Sequence, residues 1–141
     1  MKILVPVDGS ENALRAVRHI VNHRSDFCEP IELHLLNVQP PVASGAVKMF
    51  ISQQQLNDYH RDEGLAALKE ARALVDRAGL RCHHHIGVGE IAPTIANYAK
   101  EKGCEQIAMG THGRGGLAGV LLGSVATKVI HLAEMPVLLV K

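Results

Sequence analysis

The sequence has few aromatic residues and no marked excess of either charge. Its 141 residues include two tyrosines, two phenylalanines and no tryptophan. So few large rings disfavour a flavodoxin-like protein that stacks a flavin mononucleotide, which stays only as an alternative. The formal net charge of +1 at pH 7 gives no electrostatic reason to expect a nucleic acid or an anionic membrane as partner.

Cysteines and long apolar runs are also scarce. Cys28, Cys82 and Cys104 are an odd number without Cys-x-x-Cys spacing, which disfavours a disulfide framework and favours reduced thiols in a cytoplasm. No apolar run approaches the roughly 20 residues of a membrane span. The run Ile3–Val7 is broken by Asp8 too early for a signal peptide. We therefore expect a cytoplasmic protein without a membrane partner.

What the sequence does contain is a regular alternation of strand and helix patterns in a composition that is 47% hydrophobic. Strands are predicted at Lys2–Val7, Ile31–Val38, Arg81–Val88, Gln106–Met109 and Val137–Val140. Helices are predicted after Ser10, after Ser52, at Ile91–Lys102 and at Ser124–Ala133. The alternation predicts one α/β domain over residues 1–141, with a single open, mostly parallel five-stranded sheet and helices on both faces.

Local signals mark several helix ends. Ser52-Gln53-Gln54-Gln55 resembles a capping box, and Gly79 and Gly103 are placed to end helices. Residues 42–50, after Pro40-Pro41, are expected to form a loop of uncertain form. Gly64 inside the long helix costs about 1 kcal/mol relative to alanine, which close packing against a neighbouring element would explain.

The stretch Gly110–Lys128 places a strand end, a glycine-rich loop and a helix start in series. The first N–H groups of a helix lack intrahelical partners and its dipole is positive there, so the arrangement predicts an anion site. Its glycines would allow positive φ and a close approach of ligand, and Ser124 is the predicted N-cap. In a parallel sheet, ligands bind beyond the carboxyl ends of strands, where both Asp8 and Gly110 lie. No Gly-Lys-Ser/Thr follows, so this is not a Walker A loop.

The spacing Gly110-x2-Gly113-x9-Gly123-Ser124 resembles the G-2x-G-9x-G-(S/T) signature of the ATP-binding branch of the universal stress protein family. The segments Lys2–Ser10 and Met135–Val140 resemble that family as well. The resemblance implies a Rossmann-like fold of the adenine nucleotide alpha hydrolase-like type. It also implies a stress-response module that binds ATP or AMP, with Mg²⁺ accompanying ATP, and a homodimer formed through the strand Val137–Val140.

The resemblance further implies which residues bind the nucleotide. Asp8 would face the phosphates and hold Mg²⁺ through them, although a turn aspartate at the start of the first helix is the alternative. The backbone at Pro6–Asp8 and Val38 would frame adenine and ribose, and His112 would form part of the pocket wall. The full set of expected nucleotide-binding residues is Pro6, Val7, Asp8, Val38, Met109, Gly110, His112, Gly113, Arg114, Gly123, Ser124 and Val125.

No catalytic residue is predicted. A base at His112 would need a nucleophile and an orienting partner, and the sequence identifies neither. The first loop, Asp8-Gly9-Ser10-Glu11, lacks the Ser-Gly-Gly-x-Asp-Ser run of the related ATP-pyrophosphatase-like enzymes. Weak ATP hydrolysis remains one alternative, and an interaction module without nucleotide is another.

Cys82-His83-His84-His85 has the residue types of a zinc site. Successive residues of a strand point to opposite faces, however, so this segment cannot supply four ligands to one ion. We expect instead a partly exposed edge strand.

Overall fold

The computed structural model of the protein describes residues 1–42, 45–113 and 121–141. Its elements are β1 (Lys2–Pro6), α1 (Glu11–Asn22), a 3-10 turn (Arg24–Asp26), β2 (Glu32–Gln39), α2 (Gly45–Phe50), α3 (Gln53–Arg77), β3 (Arg81–Val88), α4 (Ile91–Lys102), β4 (Gln106–Gly110), α5 (Ser124–Leu132) and β5 (Val137–Val140). The five predicted strands are present, with ends that differ by at most one residue.

The strands form one sheet in the order β3-β2-β1-β4-β5, and every described pair is parallel. Helices α1 and α3 cover one face over a core that includes Val5, Leu35 and Leu68. Helices α4 and α5 cover the other face over Leu4 and Ile107. The predicted open parallel α/β fold is confirmed. Strand order reverses between β1 and β4, which places a crevice at their carboxyl ends.

Short-range signals define most helix ends as predicted. Ser10 Oγ accepts a hydrogen bond from Ala13 N at the start of α1. Ser52 begins α3 with a complete capping box, and Gly103 ends α4 with φ of 64°. These caps satisfy terminal backbone groups that would otherwise lack partners.

Two local predictions are corrected by the structure. Part of the segment expected to be a loop, residues 42–50, is the short helix α2. The N-cap of α5 is Gly123, with φ −70° and ψ 159°, and Ser124 is the first residue inside the helix. Glycine is an acceptable N-cap because this position needs extended backbone, which glycine adopts. The N–H group of Ser124 is then the first of the helix.

Strand β3 is an edge strand with the predicted alternation of side chains. His83 packs near the ring of His34, and His85 stacks on Tyr98 of α4. Cys82 instead packs against the core beneath α3. In the part of the chain that the structure describes, no helix is both long and apolar enough to span a membrane.

Candidate functional site

A cavity of about 570 Å³ opens at the carboxyl ends of β1, β2 and β4, within the size range of small-molecule sites. Eleven of the twelve residues predicted to bind nucleotide line it: Pro6, Val7, Asp8, Val38, Met109, Gly110, His112, Gly113, Gly123, Ser124 and Val125. The twelfth, Arg114, lies outside the described residues. The fold therefore brings together segments that are more than 100 residues apart in the chain.

The carboxylate of Asp8 has two roles in the geometry. Its Oδ1 accepts a hydrogen bond from Ser10 N at 2.9 Å, which shapes the turn into α1. Its Oδ2 lies against the glycine loop, because a Cβ added to Gly113 would sit 2.9 Å from that oxygen. Asp8 is thus both a turn residue and part of the cavity wall. A role in the turn before α1 is therefore compatible with a position that faces a ligand's phosphates.

Two glycines of the signature are required by close backbone packing. A Cβ on Gly110 would lie 2.7 Å from the carbonyl oxygen of Asn12 in α1. A Cβ on Gly123 would lie 3.1 Å from Thr111 O and 3.3 Å from His112 Cα. Neither glycine has a positive φ, nor does Gly113, so these positions do not use the freedom of glycine to adopt positive φ. What the site needs from them is the absence of a side chain.

Thr111 ties the described ends of the loop to each other and to the sheet edge. Its N–H donates to Val140 O at 3.2 Å, and its carbonyl accepts from Gly123 N at 2.7 Å. Its hydroxyl lies 3.1 Å from Nδ1 of His112. Because Thr111 is buried, these bonds are shielded from water and hold Gly123 beside the end of β4.

The start of α5 presents backbone donors at one end of the cavity. Thr127 N donates to Gly123 O in the first helical turn, whereas the N–H groups of Ser124 and Val125 precede any intrahelical acceptor. Both residues line the cavity. With the positive end of the helix dipole, they form a local environment that favours an anion.

The cavity is also lined by apolar residues and by three polar side chains that the sequence did not indicate. Asn37, Gln39 and Glu63 line it, and Asn37 is almost fully buried. A buried asparagine at the end of an apolar strand was the one available signal, because such an amide must be hydrogen-bonded. The further lining residues that sequence reasoning missed are Ala13, Leu36, Pro40, Ala67, Ile91, Ile95 and Ala126.

The fold is an open parallel α/β sheet with a cavity at the point where the strand order reverses. The model of the universal stress protein family matches residues 1–141, and the protein belongs to this family. Universal stress protein MJ0531 of Methanocaldococcus jannaschii is 36% identical over 141 residues, covering 99% of this chain and 81% of that protein. The solved structure of MJ0577, from the same organism, matches with a TM-score of 0.85 at 31% identity, covering 99% of this chain and 94% of that one.

Some solved structures with this fold are complexes with adenine nucleotides. A universal stress protein in complex with cAMP has a TM-score of 0.69 at 24% identity, covering 99% of this chain and 95% of that one. A family member from Arabidopsis thaliana with AMP bound has a TM-score of 0.70 at 20% identity, with coverages of 100% and 91%. The protein from Archaeoglobus fulgidus in complex with dAMP has a TM-score of 0.63 at 24% identity, with coverages of 100% and 98%. At these identities the likeness shows the fold alone.

Proposed function

We propose that the protein binds an adenine nucleotide, ATP or AMP, in the cavity at the carboxyl ends of β1, β2 and β4. The observation that carries the proposal is the mixed lining of the cavity. It combines the backbone donors of Ser124 and Val125 at a helix start with apolar side chains that include Val38 and Met109. The donors suit a phosphate and the apolar side chains suit a purine. The cAMP, AMP and dAMP complexes of related folds support the same ligand class.

In this proposal the phosphates take hydrogen bonds from the backbone of the loop and helix. The donors are the N–H groups of Gly113, Ser124 and Val125, joined by Arg114, whose guanidinium suits phosphate oxygens. Adenine and ribose lie between Val38, Met109 and the backbone of residues 6–8. His112 forms part of the wall, and no step of catalysis is assigned to it.

The carboxylate at the cavity fits a Mg²⁺ ion that arrives bound to the phosphates of ATP. Among the described residues, no group of three or more His, Cys, Asp or Glu side chains could hold a metal ion. The carboxylate of Asp8 lies against the loop at Gly113, and Mg²⁺ is commonly held by one or two carboxylates together with phosphate oxygens. Asp8 would therefore hold the ion only when a phosphate is present, where the ion offsets phosphate charge.

The role we propose is that of a stress-response module that senses nucleotide in the cytoplasm rather than a fast catalyst. Free thiols support that compartment, because Cys28, Cys82 and Cys104 are all unpaired. Burial raises the pKa of the Cys82 thiol to about 11 and also raises that of Cys104. These two thiols therefore stay protonated and weakly reactive at neutral pH.

We also propose that two copies pair through β5. The strand is at the edge of the sheet and consists of Val137, Leu138, Leu139 and Val140, which are all partly exposed. An apolar edge strand of this kind requires covering. Antiparallel pairing of two β5 strands would provide it.

The nucleotide site can be tested by removing one proposed donor without disturbing the helix. Proline is favoured at the first helical position, and the extended backbone of Gly123 is compatible with a following proline. Ser124→Pro therefore deletes the Ser124 N–H at little structural cost. Ser124→Ala deletes the hydroxyl but keeps the N–H, and is the matched control.

We expect calorimetric titration with Mg-ATP and with AMP to give micromolar binding to the parent protein. Ser124→Pro should weaken both by roughly tenfold or more, as expected for a lost charge-assisted hydrogen bond, and Ser124→Ala should weaken them less. Thermal melting of each variant checks that the fold is retained. A nucleotide-free parent that binds neither ligand would contradict the proposed function.

A further inference from the structure

The hydrogen-bond ladder between β1 and β2 stops before β2 ends, and a side chain takes the place of the next bond. The register ends at the pair Pro6 and Leu36, after which Val7 N donates to Leu36 O at 2.8 Å. In a parallel ladder the following bond would run from Val38 N to Val7 O. Here Val7 O accepts instead from Nδ2 of Asn37, at 2.8 Å.

The amide of Asn37 is held in the orientation that this bond requires. A carbonyl oxygen can only accept, so Asn37 must direct its NH₂ group at Val7. Its Oδ1 accepts from Nε2 of Gln39 at 2.6 Å, which holds the other side of the amide. Asn37 is 3% exposed, so both bonds are shielded from water. The carbonyl of Val7 therefore has a buried donor other than Val38.

The backbone groups of Val38 point toward the end of β1. Successive residues of a strand direct their N–H and C=O groups to opposite edges. Gln39 O accepts from Gly89 N on the β3 side, so Val38 directs its own groups to the β1 side. Within the described residues, no backbone group pairs with the N–H or the C=O of Val38 there. Both groups border the cavity, which Val7 and Val38 line.

We propose that Asn37 is a positioning residue that keeps this rung of the ladder open, so that the N–H of Val38 is available to the base of a bound nucleotide; this inference rests on the proposed function. Adenine suits the open rung, because its ring nitrogen N1 accepts a hydrogen bond and its 6-amino group donates one. These match the N–H and C=O groups that a single extended residue presents at one edge of its strand.

Asn37 acts in this proposal by competing with Val38 for the carbonyl of Val7. Without the amide, the oxygen of Val7 would be a buried acceptor without its donor, which is unfavourable. The group that the register places opposite this oxygen is the N–H of Val38. The rung would then close, and the base would lose its donor although no residue that touches the ligand had changed.

Hydrogen exchange at the Val38 amide, followed by NMR in protein without nucleotide, tests the open rung directly. Asn37→Leu removes the side-chain amide and keeps the approximate size of the side chain. We expect the Val38 amide to exchange roughly tenfold more slowly in this variant than in the parent, because the closed rung protects it. A merely structural role would give faster exchange, since a lost buried bond loosens the strand end. Asn57→Leu, at an exposed asparagine of α3 outside the cavity, is the matched control and should change nothing at Val38.

Binding of AMP and of ribose 5-phosphate separates the base from the phosphate. We expect Asn37→Leu to weaken AMP binding roughly tenfold, as for the loss of one hydrogen bond. Ribose 5-phosphate has no base, so its affinity should change by less than about twofold. AMP added to the parent should also slow exchange at Val38. This last measurement needs no substitution and tests the contact even where the variant does not fold.

The outcomes separate this inference from the proposed function. Faster exchange at Val38 in Asn37→Leu, or AMP affinity equal to that of the parent, would overturn the role of Asn37 and leave nucleotide binding standing. Equal weakening of AMP and ribose 5-phosphate would overturn it as well. If the parent binds AMP without slower exchange at Val38, the base does not use this N–H and the inference is wrong. If the parent binds neither AMP nor ATP, the proposed function is wrong and the inference fails with it.

Discussion

Gly64 lies in the middle of α3, where its Cα faces Ile86 of β3. A Cβ added there would lie 2.7 Å from each of three side-chain carbons of Ile86, closer than real contacts allow. The helix therefore approaches the edge strand more closely than any other residue type would permit. This packing explains why a residue that is unfavourable inside helices occupies the position.

We expect Gly64→Ala to destabilise the protein despite its better helix propensity. Alanine gains about 1 kcal/mol within the helix, whereas overpacking of a close contact costs typically about 1–3 kcal/mol. The free energy of unfolding, measured with urea, should fall by up to about 2 kcal/mol. In a protein that also carries Ile86→Ala, the same substitution should be neutral or stabilising. Gly45→Ala is the control, because a Cβ added to Gly45 would meet nothing within 4 Å. If Gly64→Ala alone stabilises the protein, β3 shifts readily to admit the added methyl group.

The signature glycines show what sequence can predict about single residues. Their spacing was enough to place Gly110, Gly113 and Gly123 together at a cavity. The physical reason for each glycine was not predictable, because it depends on a neighbour brought close only by folding. For Gly110 that neighbour is Asn12, on α1, and its carbonyl oxygen can be located only once the helix has packed on the sheet.

At the scale of elements, β2 and its neighbours are joined by polar contacts at the end of the sheet opposite the cavity. Glu32 of β2 accepts from Nε2 of His34 at 3.1 Å and lies 3.7 Å from Nε2 of His83 on β3. Nδ1 of His34 is 3.1 Å from the hydroxyl of Tyr98, which extends the contacts to α4. The hydrogen bond from His34, with the charges of Lys2, His83 and His34, lowers the pKa of Glu32 below its ordinary value of 4.5.

A carboxyl group whose pKa is lower in the folded than in the unfolded protein stabilises the fold at pH values at which the group is ionised in the unfolded chain. The contribution of Glu32 is therefore fully present above pH 4.5 and is lost as the pH falls through its lower folded pKa. We expect Glu32→Gln to reduce the free energy of unfolding at pH 6, with the difference from the parent shrinking between pH 4.5 and pH 3. Urea titrations across this range measure it. Glu101→Gln, at an exposed glutamate on α4, is the control for the substitution itself, and a constant deficit for Glu32→Gln would contradict the linkage.

Strand and helix ends were predictable where the determining signal is local. The alternation of side chains along β3 and the helix caps at Ser52 and Gly103 depend only on residues that are close in the sequence. The short helix α2 was not predictable, because six residues are too few to establish a helical period. Its last residues, Met49 and Phe50, are also largely exposed and so give no core-facing pattern.

The whole sheet has two edges of opposite character. The β3 edge carries Arg81 and three consecutive histidines, His83–His85, and such polar side chains discourage pairing with another sheet. The β5 edge carries only valine and leucine. The order of strands, which sequence patterns did not fix, is what assigns these segments to opposite edges. This contrast supports β5 as the edge that pairs with a second copy.

Proline can test that pairing without breaking the sheet within one chain. The carbonyl oxygens of Pro136 and Val140 accept hydrogen bonds from β4. Successive residues of a strand direct their backbone N–H and C=O groups to opposite edges, so Leu139, which precedes Val140, directs its own groups away from β4. Leu139→Pro removes an outward N–H that antiparallel pairing would use, whereas Leu139→Ala shortens the side chain and keeps it. Light scattering should give twice the chain mass for the parent and Leu139→Ala, and a single chain for Leu139→Pro. A monomeric parent, or a dimeric Leu139→Pro, would place the contact elsewhere and leave the β5 edge to be covered in another way.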